Sequence, residues 1–219
     1  MTDISELRSR LRRAFERMLR YVNVPLASGM PSSFPECRDG DLTLRGLREQ
    51  EIAVFSGWLR DLHLARYAFG LSLDADDSYI QGVVNDHISF LKQDRRSYVA
   101  ICVNNKLIGC IYYHIRDIDG LRFGILGIFI GLEEERGRGY GTRSLDLLLG
   151  FLFGELGCSC VELDTANYNK VAQRTYEGLG FSVCADQRFY EGLPSPNDIE
   201  LAPSVYYRLT KEQWQARHI

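Results

Sequence analysis

The sequence predicts a mixed α/β (α+β) fold: a central sheet of about six or seven strands flanked by helices, preceded by an N-terminal helical extension. Three observations carry that expectation. Along the chain, apolar periodicity runs strand, two helices, an antiparallel meander, and then strand, helix, strand, helix, strand. Phe123–Gly131 is apolar and β-branched enough for a strand buried on both faces. It is followed from Thr142 by Leu145, Leu148, Leu149, Leu152 and Leu156 at three- and four-residue spacing, the stripe of a helix that Gly157 closes as a left-handed cap. Joining the two is the glycine-rich run Arg136-Gly-Arg-Gly-Tyr-Gly141.

Taken in order, Ile4–Val22 forms an amphipathic helix candidate with Ile4, Leu7, Leu11, Phe15, Met18 and Val22 on one face. Such a helix packs on the domain or on a second subunit, and Asp3, Glu6 and Glu16 argue against an organelle presequence. Pro25–Gly40 has linker chemistry, so the division expected is residues 1–40 as helix and Pro-rich linker and 41–219 as the domain. Asp41–Arg45 alternates like a strand, Glu49–Asp61 and Tyr79–Gln93 read as helices, and Arg66–Asp77 between them reads as a loop. The loop clusters Asp74, Asp76 and Asp77, which either cap the next helix or draw in a cationic ligand. Ser97–Val103 and Leu107–Ile115 form a hairpin about Asn104-Asn105-Lys106, because Asn tolerates positive φ. A second turn at Asp117–Gly120 leads into Phe123–Gly131. Cys160–Asp164 and Ser204–Leu209 are the remaining strands, and Asp186–Pro203, with Pro194, Pro196 and Pro203, is long enough to serve as a cover.

Composition narrows the function classes. The chain of 219 residues is 45% hydrophobic and 25% charged with net charge −3, ordinary for a soluble domain and without the basic field that holds nucleic acid. Most of the six cysteines fall inside strands, and Cys158-Ser-Cys160 has neither zinc nor redox spacing, so reduced thiols in a cytoplasmic protein with no metal are expected. No long apolar run or signal peptide is visible, and no membrane partner is expected. A sheet edge and an apolar N-terminal helix allow a homodimer.

The glycine run carries the chemistry. Alternate glycines let main chain approach a ligand closely, and a turn entering a helix aims unpaired N–H groups at it. With the helix dipole and Arg136, Arg138 and Arg143, that is an anion site. Three nucleotide readings compete. A Walker loop fails for want of a lysine. A dinucleotide turn, Gly-x-Gly-x-x-Gly, fits Gly137 and Gly139 but meets Thr142 at its last position, although Asp164 stands about 20 residues on, where a ribose-binding acid belongs. The pattern Gln/Arg-x-x-Gly-x-Gly/Ala fits Arg136, Gly139 and Gly141 without mismatch.

Downstream, Asn167-Tyr-Asn-Lys-Val-Ala-Gln-Arg-Thr-Tyr-Glu-Gly-Leu-Gly-Phe181 supplies an Asn, a helix, a Tyr seven residues after Asn169, and a Gly-Phe exit. Together with the glycine run, this resembles the GNAT superfamily of acyl-CoA N-acyltransferases, in wording similar to the branch of ribosomal-protein alanine and spermidine acetyltransferases. The resemblance covers roughly Asp41 to Trp214 and is specific between Gly127 and Phe181. It implies a mostly antiparallel sheet and transfer of an acetyl group from acetyl-CoA to a primary amine (a small molecule, a polyamine or a protein N-terminus) by direct attack in a ternary complex. It assigns the pyrophosphate to the N–H groups of Arg136, Gly137, Arg138, Gly139, Tyr140, Gly141 and Thr142, and the pantetheine arm to Ile128, Phe129, Ile130 and Asn169. One N–H of that strand would polarise the thioester carbonyl. Tyr176 is the general-acid candidate, since a phenol with pKa near ~10 protonates a thiolate yet stays protonated at neutral pH. Glu162, His114 and Asp117 are the candidate bases, and a water relay without a dedicated base is equally allowed. A non-catalytic acyl-CoA-binding regulator and a dinucleotide-binding oxidoreductase stand as alternatives.

Overall fold

The computed structural model describes residues 31, 33–93, 97–185, 188 and 202–218. The candidate helix Ile4–Val22, the first part of the Pro-rich segment and most of Asp186–Pro203 lie outside the described residues. Strands β1 (Cys37–Asp39) and β2 (Leu42–Gly46) open the fold, followed by a 3-10 turn at Glu49–Glu51 and helices α1 (Ile52–Trp58), α2 (Leu62–Ala68) and α3 (Asp77–Gln93). Strands β3 (Tyr98–Val103), β4 (Lys106–Ile118) and β5 (Leu121–Ile130) make the meander. Helix α4 (Tyr140–Gly154), strand β6 (Cys160–Ala166), helix α5 (Lys170–Gly178), strands β7 (Ser182–Cys184) and β8 (Ser204–Thr210) and helix α6 (Lys211–Gln215) complete it.

The strands form one eight-stranded sheet in the order β1-β2-β3-β4-β5-β6-β8-β7. Every pairing is antiparallel except β5 with β6. Both meander turns follow the residues that allow them: Asn104 and Asn105 have φ of 48° and 65°, and Asp119 and Gly120 have 51° and 77°. Two left-handed residues in succession match the twist of the flanking strands.

The structure corrects the sequence reading in three places. The sheet has eight strands rather than six or seven, because β1 and β7 are three-residue strands too short to show a period. The fold also begins before Asp41: Cys37 pairs with Leu44, and Phe34 is buried in the core against Phe151 and Tyr113. Proline and glycine chemistry had masked this hairpin. The stretch Arg66–Asp77 is not all loop, since Arg66 to Ala68 belong to α2. Asp61 starts that helix, its carboxylate accepting from the N–H groups of His63 and Leu64 at 2.9 and 3.2 Å.

Side-chain alternation divides the core between the two sheet faces. Val99, Ile101, Ile111 and Tyr113 pack with Leu145, Leu148, Leu149 and Leu152 of α4. Tyr98, Ala100, Cys102 and Cys110 pack with Phe55 and Leu59 and with Ile80, Val84 and Leu91 of α3. Each fully buried leucine contributes about 2 kcal/mol, so the helices on both faces hold the sheet rigid.

One seam in that sheet is short. β5 pairs with β6 only from Phe123–Ile125 to Cys160–Glu162. Beyond it, β5 stays with β4 as far as Ile130 opposite Gly109, while β6 stays with β8 as far as Ala166 opposite Ser204. Each strand is held by its outer neighbour, and the two part.

Candidate active site

The parted seam leaves an internal sheet edge. The N–H of Ser159 donates to the carbonyl of Arg122 at 2.8 Å, so Arg122 turns its polar groups toward β6. The N–H of Gly131 donates to the carbonyl of Ile108 at 2.8 Å, so Gly131 turns toward β4. Alternation between those fixed points directs the main chain of Leu126, Ile128 and Ile130 into the gap and that of Phe129 away from it. Arg136 reaches back to the strand exit, donating to the carbonyls of Ile130 and Gly131 at 3.0 and 2.9 Å. Of the three strand residues expected to hold the arm, Ile128 and Ile130 turn their main chain into the gap, while Phe129 turns away and offers its ring to Phe55 and Trp58.

At the end of β5 the chain turns into α4. Gly137 and Gly139 have φ of 73° and 81°, a region in which a side chain is strained. A Cβ at Gly137, Gly139 or Gly141 would meet nothing within 4 Å, so these residues are small for the sake of open space rather than packing. Gly139 is the N-cap and offers no side chain, and the first intrahelical bond runs from the Arg143 N–H to its carbonyl at 3.1 Å. The N–H groups of Tyr140, Gly141 and Thr142 therefore open outward at the positive end of the helix dipole.

The charged side chains of the run behave otherwise than expected. Arg143 is spent on the β1–β2 hairpin, paired with Asp39 at 2.7 Å and Asp41 at 2.9 Å. The Tyr140 hydroxyl donates to Asp41 at 3.0 Å, and the hydrogen bonds from Arg143 and Tyr140 hold that carboxyl below its ordinary range. Arg138 lies 3.4 Å from Glu135. These contacts anchor the helix start and leave main-chain amides as the groups open at it.

Across the gap, Asn169 caps α5, its Oδ1 accepting from the Ala172 N–H at 3.2 Å. Tyr176 is buried on the same helix, against Tyr207 at 5.7 Å and Phe181 at 6.1 Å between ring centroids. Burial pushes its phenol well above the ordinary tyrosine value, so it stays protonated at any physiological pH.

A cavity of about 580 Å³ joins these features. It is lined by Arg136, Gly137, Gly139, Gly141 and Thr142 at one end, by Ile128, Phe129, Ile130, Asn169 and Tyr176 along the gap, and by residues of α2, α3, β3 and β4 at the other end. Arg138 and Tyr140 do not line it. The far end, with Tyr67, Phe69, His87, Tyr98, Tyr112 and Asp164, was not assembled from sequence. Counting outward from the Asn104-Asn105 turn puts Tyr98 opposite Ile111; a bulge at Ile101/Cys102 shifts the register and sets it opposite Tyr112.

Of the candidate bases, Glu162 is fully buried and bound by Arg208 at 2.6 Å, with the Arg188 N–H at 3.2 Å, and does not reach the cavity. A buried carboxylate needs such a partner, and that structural duty removes Glu162 as the base. Asp117 is held by Arg122 at 2.9 Å and is also remote from the cavity, whereas His114 lines it. The acidic loop does not line the cavity either. Asp76 caps α3 by accepting from the Ser78 N–H at 2.8 Å, and Asp77 lies 3.7 Å from Arg66. Among the described residues there is no group of three or more His, Cys, Asp or Glu able to hold a metal, and no helix long and apolar enough to cross a membrane.

Comparison with known proteins agrees with this arrangement. The chain is 26% identical over 187 residues to the SPbeta prophage-derived uncharacterized N-acetyltransferase YokL of Bacillus subtilis, a match covering 81% of this chain and 94% of that protein. Among solved structures, a GNAT-family acetyltransferase from Bacillus anthracis superposes with a TM-score of 0.62 at 16% identity, over 81% of this chain and 99% of the other. The aminoglycoside acetyltransferase AAC(6')-Ib in complex with coenzyme A gives 0.59 at 20% identity, again over 81% and 99%. At these identities the structural matches speak for the fold. The model of the acetyltransferase (GNAT) family matches residues 59–181, more than half of the chain and the whole of the parted seam, the glycine turn and α5; the chain belongs to that family.

Proposed function

We propose that the protein transfers the acetyl group of acetyl-CoA to a primary amine by direct attack in a ternary complex. The observation that carries this reading is the junction of an open sheet edge with an uncapped, glycine-bared helix start in one cavity. The helix start suits a diphosphate, and the edge at Ile128 and Ile130 suits the amide-bearing arm that follows it, with Asn169 as a further partner across the gap.

An acetyl thioester is already activated, so positioning and charge stabilisation are what the chain must add. An N–H of the β5 edge faces the carbonyl oxygen as it gains charge. His114, the candidate base that lines the cavity, takes one proton from the acceptor ammonium, and the freed lone pair attacks the carbonyl carbon. The C–N bond forms, the C–S bond breaks, and Tyr176 gives its proton to the departing thiolate. The surplus proton remaining on nitrogen passes through solvent to the Tyr176 phenolate, and His114 releases its own proton to solvent, so that one proton leaves per turnover.

The motif wording favours protein N-termini or polyamines as acceptors, whereas solved neighbours include aminoglycoside enzymes. The test is release of free thiol from acetyl-CoA with a panel of amines, with the product weighed for one added acetyl group. Tyr176→Phe keeps the ring packed and is expected to lower kcat by about 100-fold, while calorimetry shows CoA affinity little changed. Equal turnover in that variant removes the acid role, and CoA binding without thiol release from any amine replaces the enzyme with a binding protein.

A further inference from the structure

The acceptor end of the cavity is walled by rings. Tyr112 lies against Gly127 so closely that a Cβ there would overlap the ring. Tyr98 stands beside it at 6.5 Å between centroids, His87 lies 5.6 Å from Tyr98, and Phe69 lies 5.0 Å from His87. Tyr67 from α2 adds to the same wall. The Tyr98 hydroxyl is 3.3 Å from Nε2 of His87, and burial pushes that imidazole down to about 3, so it is neutral. Among the described residues that line the cavity, Asp164 is the one carboxylate, placed where β6 leaves the seam and close enough to Tyr176 to act on its phenol electrostatically.

Resting on the acetyltransferase reading, we propose that the acceptor carries a single ammonium on an aromatic body, its ring seated among Tyr112, Tyr98 and Phe69 and its ammonium against Asp164. Aromatic walls favour an edge or an offset face of another ring, and the faces of tyrosines also favour a nearby cation. An amino sugar or a polyamine would bring several ammonium groups to a wall whose described residues supply one carboxylate, and each charge left unpaired costs more than the contact returns. The parting of β5 from β6 puts the ammonium beside the arm-binding edge, where its nitrogen must be to attack.

The experiment compares 2-phenylethylamine, kanamycin and spermidine as acceptors for the full chain by thiol release at saturating acetyl-CoA. The aromatic amine is expected to give kcat/KM at least about tenfold above either polycation. Asp164→Asn is expected to raise KM for 2-phenylethylamine about tenfold while leaving KM for acetyl-CoA within a factor of about two. Tyr112→Leu is expected to penalise 2-phenylethylamine more than hexylamine. A higher kcat/KM for kanamycin or spermidine, or an unchanged acceptor KM in Asp164→Asn, overturns the inference while the transferase reading stands. Thiol release from no amine at all overturns both.

Discussion

At one end the cavity is lined by the glycine turn and helix start, Gly137, Gly139, Gly141 and Thr142, close together in sequence; at the other it is lined by side chains from α2, α3, β3, β4 and β6, spread in sequence from Tyr67 to Asp164. The first end depends on what is missing, the Cβ atoms at Gly137 and Gly139. The second depends on what the topology brings together, down to the bulge that sets Tyr98 opposite Tyr112. A site built of main chain binds a group common to many reactions. One built of side chains is where an individual protein sets its own choice of substrate.

Substitutions separate the two ends. Gly139→Glu forces a side chain into a left-handed residue and a carboxylate into the anion cradle, removing charge-assisted bonds worth about 1.5–3 kcal/mol each. CoA affinity measured by calorimetry is expected to fall by about 1,000-fold or more. Affinity within tenfold of the parent would move the diphosphate elsewhere.

At the acceptor end, His87 stays neutral in the fold down to pH about 3, whereas in the unfolded chain it takes a proton near ~6.5. The unfolded state thus binds more protons within that window, and stability rises with pH through it, complete above about 6.5 and lost progressively below. Between pH 6.5 and 5 this group alone removes about 2 kcal/mol. Denaturant midpoints should show that loss in the parent and a flatter profile in His87→Asn; parallel profiles would deny His87 its buried, neutral state.

The smallest effect distinguishes the ends most cleanly. Gly127→Ala displaces the Tyr112 ring from its seat on β5 without touching the glycine turn. Overpacking of this kind costs about 1–3 kcal/mol, so acceptor kcat/KM should drop about tenfold with CoA affinity intact. A matching loss of CoA affinity would mean that the two ends are not separable.

The same contrast explains what was legible in the sequence. The β5–turn–α4 unit and the α5 helix could be read because their signals are local: glycines at fixed offsets, a leucine stripe, and Asn169 at the cap seven residues before Tyr176. The hairpin turns could be read because Asn104-Asn105 and Asp119-Gly120 demand their backbone conformation. Glu162 misled because its sequence position is right for a base, and only the fold reveals Arg208 beside it. Arg143 misled likewise, its partner Asp41 lying about a hundred residues away. The acidic loop exceeded its local meaning in the reading and returned to it in the structure, where Asp76 is a cap. The aromatic wall had no local signal, because neighbouring strands and helices contribute one or two rings apiece.

The brevity of the β5–β6 pairing reaches beyond where a ligand sits. Amides left open inside a molecule are solvated while the gap is wet, and an occupant that displaces that water must satisfy them in turn. A greasy acyl chain or a bare thioester cannot do so, whereas a flexible tail with its own peptide-like links can lie along Ile128 and Ile130 as a surrogate strand. On the proposed reading the donor is vetted along its handle, at a distance from the two carbons being handed over, so a truncated thioester with the same acetyl group is expected to fail for what it lacks farther back.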